Sequence, residues 1–170
     1  MKLSVIKNKL FDKINLSTDE SSYLFNLIMS GEVAEIDTAS ILIALKIKSE
    51  SKEEILGATK IMREKSTKIS SPKNTIDTCG TGGDMSGTLN ISTSAALIAA
   101  SAGAIVAKHG NRSISSKSGS ADMLEKLGIK ILSEKNELEK SLSDHNFCFL
   151  FAQYHHAAMK HVVNIRKQLG

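Results

Sequence analysis

The sequence predicts a small all-α bundle at the amino terminus followed by a partial α/β domain with a parallel sheet. Apolar residues recur at helical spacing through the first 65 or so positions. From Thr75 onward, short β-branched or aromatic runs alternate with helical stretches, which is the pattern of βαβ units. The chain has 170 residues, of which 41% are hydrophobic and 24% charged, so it is long enough for one ordinary domain or two small ones.

Four short helices are expected before residue 66. An S-x-x-E capping box begins the second helix at Ser17 and the fourth at Ser51, while Gly31 ends the second and Asp37 is expected to cap the third. Residues at helical spacing are expected to face inward: Leu3, Ile6, Leu10, Ile14, Leu24, Leu27, Ile28, Ile41, Leu42, Leu45, Ile55, Ala58 and Met62.

A connector separates the two parts. The helical period stops in residues 66–74, which contain Pro72, the chain's one proline. The predicted division is a helical domain over 1–70, an α/β domain over 74–153, and a helix over 154–170 that returns to the helical domain.

The elements of the α/β part follow in strict alternation with short links, which favours a parallel sheet. Strands are predicted at 75–79, 104–110, 129–132 and 147–151, and helices at 90–103, 118–128, 133–145 and 155–170.

Composition limits location and partners. The net charge of +4 is scattered among acidic residues, so no nucleic-acid partner is expected. No stretch approaches the roughly 18 apolar residues of a membrane span, and the amino terminus has no secretory pattern, so a cytoplasmic location is expected. Cys79 and Cys148 are expected to be buried strand thiols.

A glycine-rich turn is the first candidate binding site. The segment CGTGGD follows a predicted strand and precedes a predicted helix, so it falls at the carboxyl end of the sheet, where α/β proteins bind ligands. Bare backbone amides and the start of a helix at Asn90, Ser92 and Thr93 favour a phosphate or pyrophosphate. The spacing matches neither the dinucleotide nor the P-loop motif. An ordinary glycine turn with a polar helix cap remains the alternative.

The second predicted strand ends in residues that strengthen this interpretation. Lys108 and Arg112 are cations, and the latter offers a fork for oxyanions. His109 and Asn111 bring directional hydrogen bonds, and Gly110 permits a tight turn. Because successive parallel strands end at one edge of the sheet, both segments are expected to converge on one anion.

Five motifs together resemble the anthranilate phosphoribosyltransferase family: GTGGD, NIST, KHGNR, SGSADMLEKLG and FLFAQYHHAAMKHVVNIRKQLG. The similarity runs in order over essentially the whole chain. It implies the nucleoside phosphorylase/phosphoribosyltransferase type of fold. It also implies transfer of the phosphoribosyl group from phosphoribosyl pyrophosphate (PRPP) to anthranilate with Mg²⁺, releasing pyrophosphate in tryptophan biosynthesis. Members of the family are dimers through the helical domain.

The resemblance also assigns residues. His109 and Asn111 would lie between the two substrates without acting as acid or base, and Ser92 would ligate magnesium. PRPP-binding positions would be Gly80, Thr81, Gly82, Gly83, Asp84, Thr88, Asn90, Ser92, Thr93, Lys108 and Ser120. Anthranilate-binding positions would be Gly80, Asn111, His155 and Arg166.

The chain departs from the family in two respects. It is about half the usual length and has no adjacent Asp-Glu pair after Asp84, so much of the magnesium site is expected to be missing. Truncation, or completion by a second polypeptide, would account for this. Gln153, His156 and Asn164 stand where the family usually or often has proline, which is expected to loosen the nearby loops.

Two other functions remain open. A pyrimidine nucleoside phosphorylase pairs similar domains with a glycine turn, and a non-catalytic relative could bind nucleic acid. Asp122 and Glu125 are expected to serve only the dipole of their helix.

Overall fold

The structure is a computed structural model that describes residues 2–79, 90–113 and 119–170. The helices are α1 (Leu3–Phe11), α2 (Thr18–Met29), α3 (Glu35–Lys48), α4 (Lys52–Lys65), α5 (Ile91–Ser101), α6 (Ser120–Lys126), α7 (Lys135–His145), α8 (Ala152–His155) and α9 (Val163–Leu169). The strands are β1 (Val106–Gly110) and β2 (Phe147–Phe151), and a 3₁₀ helix spans Ala157–His161. None of the helices in these ranges is long and apolar enough to cross a membrane.

The described chain forms two compact units. One consists of residues 1–66 together with 156–170, and the other of residues 67–155. The first contains a helical bundle and the second a parallel sheet flanked by helices, so the predicted fold class is confirmed.

The helical unit forms around an apolar core contributed by α1 to α4 and the carboxyl-terminal segment. Both predicted capping boxes are present, since Ser17 and Ser51 each accept the backbone N–H of the glutamate three residues on. Gly31 follows α2 with a φ of +74°, the left-handed conformation that favours glycine after a helix. The buried core residues of this unit are Ile6, Leu10, Leu16, Leu24, Ile28, Met29, Val33, Ile41, Leu45, Ile61 and Val162.

The inward face of α4 differs from the prediction. Gly57 and Ile61 are buried, whereas Ile55 is exposed. A Cβ placed on Gly57 would lie 2.5 Å from the carbonyl oxygen of Thr18 and 2.6 Å from Cβ of Ser21. A small residue therefore lets α2 and α4 approach closely, and this contact, not the apolar pattern alone, decides which face turns inward.

The cap predicted for α3 is also wrong. The helix begins after Ala34, which makes no side-chain capping bond, and Asp37 lies within the first turn. Its carboxylate pairs instead with Lys7 of α1. An acid in the first turn still stabilises the helix dipole.

In the α/β unit, β1 and β2 pair in parallel with Val106 opposite Phe147 and Gly110 opposite Phe151. Ile76 adds a parallel bridge on Val106. The two faces of this small sheet have separate cores. Ala96, Ala100, Ala121 and Leu124 of α5 and α6 pack with Val106, while Leu138 and Leu142 of α7 pack with Cys148.

Several predicted elements differ in extent. Residues 129–132 are not a strand, although Ile129, Ile131 and Leu132 still pack against the two cores. The strand predicted at 75–79 is reduced to the single bridge at Ile76, and Cys79 is exposed, whereas Cys148 is buried as expected. The helix predicted over 155–170 is broken into the end of α8, the 3₁₀ helix and α9.

Candidate phosphate-binding site at the end of strand β1

Part of the predicted site lies outside the described residues. This applies to Gly80, Thr81, Gly82, Gly83, Asp84 and Thr88. The remaining candidates are on α5, β1, α6, α8 and α9.

The start of α5 is built by its own polar residues. Asn90 is the N-cap, and its side-chain oxygen accepts the backbone N–H of Thr93 at 3.1 Å. The Ser94 hydroxyl donates to the Asn90 carbonyl at 3.0 Å. Asparagine is among the best N-cap residues because its side chain replaces a missing helical partner. The cap holds the remaining N–H groups of the first turn at a fixed place.

Two predicted PRPP-binding residues meet directly. The buried Thr93 hydroxyl donates to the Ser120 hydroxyl, the first residue of α6, at 2.9 Å. A Cβ on Gly110 would lie 2.9 Å from Cβ of Ser120, so the end of β1 also packs closely here. The starts of α5 and α6 and the end of β1 therefore converge, as the sequence predicted for the first and last of these.

Lys108 is the charged residue at this convergence. It is 1% exposed and lies on the same face of β1 as Val106, the face covered by α5 and α6. Its ammonium donates a long hydrogen bond of 3.5 Å to the His109 carbonyl. Burial lowers the pKa of Lys108, and Asp77 and Cys79 offset part of that effect. We call residues 90–93, Lys108 and Ser120 the strand-end site.

His109 lies on the opposite face of β1, because successive strand residues alternate. Its ring is 5.6 Å from that of His155, centroid to centroid, with the planes at 66°. Burial lowers the pKa of His109, Asp77 opposes this, and Lys108 adds to it. The imidazole is therefore neutral near pH 7. The structure thus brings His109 and His155 together, away from the face that carries Lys108.

Arg112 does not serve as the predicted oxyanion fork. Its guanidinium donates to both carboxylate oxygens of Glu125, at 2.6 and 2.7 Å, and to Asp122 at 3.2 Å. These carboxylates raise the pKa of Arg112. The same guanidinium lies 5.7 Å from the centre of the Phe151 ring. Asp122 and Glu125 therefore do more than serve a helix dipole, since they occupy the arginine.

Asp122 also organises the loop between β1 and α6. Its Oδ2 accepts the backbone N–H groups of Ser113 at 2.9 Å and Gly119 at 3.1 Å. The carbonyl of Asn111 accepts the N–H of Ala121 at 3.2 Å, and its side-chain oxygen accepts the N–H of Arg112. The described bonds of Asn111 thus shape the loop.

A cleft of about 410 Å³ lies beside Arg112 and not at the strand-end site. It is lined by Arg112, Glu125, Gly128, Ile129, Lys130, Ile131, Phe151 and Tyr154. None of the predicted PRPP-binding residues is in this lining.

The described residues do not fit a magnesium site. Over the described ranges, no group of three or more His, Cys, Asp or Glu side chains could hold a metal ion. Ser92 offers one hydroxyl at the start of α5, whereas Mg²⁺ requires six oxygen ligands in octahedral geometry.

The two residues predicted to meet anthranilate belong to different units. His155 ends α8 and its carbonyl accepts the N–H of Thr67 at 2.9 Å. Arg166 is exposed on α9, in the helical unit.

Sequence reasoning missed Asp77 and Thr78. Asp77 Oδ1 accepts the backbone N–H of His109 at 3.1 Å, and the Thr78 hydroxyl donates to the Ser92 carbonyl at 2.8 Å. Their signal was a pair of polar residues directly after Ile76, where a buried strand should continue with an apolar residue.

Comparison with known families identifies the chain's relatives. The family described as "Glycosyl transferase family, a/b domain" matches residues 72–170, and its companion, "Glycosyl transferase family, helical bundle domain", matches residues 5–66. The chain belongs to this glycosyl transferase family. The resemblance to anthranilate phosphoribosyltransferase is confirmed as well.

Individual relatives of the glycosyl transferase chain agree. Anthranilate phosphoribosyltransferase of Saccharolobus islandicus is 49% identical over 170 residues, covering all of this chain and 49% of the relative. The crystal structure of the Thermus thermophilus enzyme has a TM-score of 0.89 at 38% identity, covering 97% of this chain and 50% of that one. The Saccharomyces cerevisiae enzyme in complex with PRPP and Mg has a TM-score of 0.88 at 30% identity, covering 99% and 51%. The chain therefore spans about half the length of the relatives it matches.

Proposed function

We propose that this glycosyl transferase moves the phosphoribosyl group of PRPP to anthranilate, giving phosphoribosylanthranilate and pyrophosphate. The similarity to anthranilate phosphoribosyltransferases supports this reaction. The observation that carries it is the buried Lys108 ammonium on the face covered by the starts of α5 and α6.

The chemistry requires a stabilised leaving anion. The amine nitrogen of anthranilate forms a bond to C1 of the ribose, the C1–oxygen bond breaks, and its electron pair leaves with pyrophosphate while the amine loses a proton. A buried cation and helix amides placed beforehand stabilise that developing charge. Lys108 and the first turn of α5 supply both. Since His109 is neutral near pH 7 and an aromatic amine needs only alignment, we assign no acid or base.

We propose the following roles for the predicted residues. His109 and Asn111 lie between the substrates. Gly80, Thr81, Gly82, Gly83, Asp84, Thr88, Asn90, Ser92, Thr93, Lys108 and Ser120 bind PRPP, and Gly80, Asn111, His155 and Arg166 bind anthranilate.

We also propose that the complete enzyme uses Mg²⁺, on the ground that the yeast relative was solved with PRPP and Mg. The described residues supply at most the Ser92 hydroxyl. Magnesium would neutralise charge on PRPP, while the residues of this chain bind and orient its phosphates.

Domain organisation and assembly complete the proposal. We propose a helical domain over 1–70, an α/β domain over 74–153, and a return of 154–170 to the helical domain. We further propose a cytoplasmic homodimer formed through α3. Its residues Ile36, Ile43 and Ile47 recur along one helical face and are exposed, Ile36 by 78% and Ile47 by 68%.

A fluorescence assay tests the reaction. Anthranilate consumption is followed with PRPP and Mg²⁺, using the chain alone and the chain mixed with the product of the adjacent reading frame. We expect consumption that requires PRPP in at least one of these preparations and is lost in Lys108→Met. No consumption in either preparation, with phosphorolysis of thymidine or uridine instead, would replace the proposal by the nucleoside phosphorylase alternative.

A further inference from the structure

Backbone pairing at the start of the α/β unit begins as a regular parallel ladder. The N–H of Ile76 donates to the Ile105 carbonyl at 2.9 Å, and the Ile76 carbonyl accepts the N–H of Ala107 at 3.0 Å. In such a ladder the next N–H of β1 to face this segment, that of His109, would pair with the carbonyl of Thr78.

The ladder changes at that rung. The N–H of His109 donates instead to the Asp77 carboxylate, at 3.1 Å. A side chain thus replaces a backbone carbonyl, and the segment leaves the sheet without stranding the buried donor that follows Lys108. The glycine-rich residues begin three positions later.

The neighbouring residue makes a similar bond on the other side. The Thr78 hydroxyl donates to the carbonyl of Ser92 in the first turn of α5, at 2.8 Å. Two consecutive side chains therefore tie this segment to the end of β1 and to the start of α5. These are the two elements that carry Lys108 and the helix amides of the strand-end site.

We propose that Asp77 is a positioning residue of the strand-end site, whose carboxylate replaces a rung of the sheet and fixes the end of β1 so that Lys108 faces the leaving diphosphate. The inference rests on the proposed function. Asp77 acts through the backbone of His109 and through its charge, without contact to the substrate.

The charge of Asp77 has a second effect. Asp77 is the carboxylate that acts on both Lys108 and His109, and it raises the pKa of each against the effect of burial. Cys79 acts on Lys108 in the same direction. An amide at position 77 would keep the acceptor for His109 and lose this support.

Three variants separate these contributions. Asp77→Ala removes the acceptor and the charge, Asp77→Asn removes only the charge, and Asp144→Asn removes an exposed charge on α7 as a matched control. For each, the measurements are the affinity for inorganic pyrophosphate by calorimetry and the hydrogen-exchange rate of the His109 amide.

We expect Asp77→Ala to speed exchange of the His109 amide by at least tenfold and to weaken pyrophosphate binding by about tenfold, as for loss of a bond to a charged group. Asp77→Asn keeps the exchange protection. It shifts the loss of pyrophosphate affinity with rising pH to lower pH, because Lys108 then loses its proton at lower pH. Asp144→Asn matches the wild-type protein in both measurements.

Equal exchange rates and affinities in Asp77→Ala and Asp144→Asn would overturn the inference. So would an unchanged pH profile in Asp77→Asn. If Asp77→Ala does not fold, Asp77→Asn decides through its pH profile. Wild-type protein that binds no pyrophosphate would instead overturn the proposed function, and the inference that rests on it, whatever the exchange rates show.

Discussion

Lys108 shows a conflict between stability and binding within one residue. An ammonium buried to 1% exposure costs free energy in the unliganded protein, because desolvation penalises charge. The same desolvation strengthens its attraction for a phosphate that enters the site. Natural sites of this kind retain a cation that the fold alone would not favour.

We therefore expect Lys108→Met to raise the free energy of unfolding by about 1 kcal/mol, since apolar replacement of a buried charge is neutral or stabilising. The same variant should lose pyrophosphate binding. Urea unfolding and calorimetry measure the two effects. Lys130→Met, which changes an exposed lysine, serves as the control and should alter neither.

The pH dependence of that stability has a definite sign. The pKa of Lys108 is lower in the folded protein than in the unfolded chain. Between those two values the unfolded chain binds more protons, so the contribution of Lys108 to stability rises with pH. Unfolding at pH 7 and pH 10 should show this rise in the wild-type protein and less of it in Lys108→Met. Destabilisation by the methionine at both pH values would contradict the expectation.

Helices α2 and α4 begin with the same capping box, yet their glutamates differ in burial. Glu54 is 2% exposed and accepts bonds from the N–H groups of Ser51 and Leu16 and from the ammonium of Lys48 at 2.8 Å. Burial alone would raise the pKa of Glu54, but these donors hold it below its usual value. Glu20 has the same local role at a half-exposed position.

We expect Glu54→Ala to cost about 3 kcal/mol of stability, because it leaves buried donors and Lys48 without their acceptor. Glu20→Ala should cost about 1 kcal/mol, as for an ordinary cap. Urea unfolding of both variants at pH 7 measures the difference. The contribution of Glu54 is present above its unfolded pKa and is lost as pH falls through its lower folded pKa. Equal costs for the two variants would show that burial does not distinguish the two boxes.

At the scale of the whole molecule, the exposed isoleucines of α3 predict association. Ile43→Lys places a charge in the middle of the Ile36, Ile43 and Ile47 stripe and should convert the dimer to monomer, since burying an unpaired charge is unfavourable. Sedimentation velocity measures this. Ile98→Lys, at another exposed isoleucine on α5, is the control and should remain dimeric. A monomeric wild-type protein, or an unaffected Ile43→Lys dimer, would contradict the proposed interface.

What the sequence could predict was local. Capping boxes at Ser17 and Ser51, the glycine after α2 and the Asn90 cap were confirmed because each depends on residues three or four positions apart. The inward face of α4 was wrong because it depends on the close approach of α2 at Gly57.

The site followed the same division. Convergence of Lys108 with the start of α5 follows from parallel topology, which the alternation of elements predicts. Occupation of Arg112 by Asp122 and Glu125 depends on how α6 packs beside the end of β1. The bond from His109 to Asp77 joins positions 32 residues apart, and periodicity carries no information on such a pairing.

Alternation along β1 makes the order of its residues as important as their identity. Lys108 and His109 are adjacent in the chain but stand on opposite sides of one strand, so a single layer of backbone divides the cation from the imidazole pair. Deleting one residue between α5 and β1 would exchange the two sides if the strand slipped to restore its pairing. The histidine would then stand against α5 and α6, and the lysine would stand beside His155. Such a protein would keep every functional side chain and yet present each one to the wrong substrate.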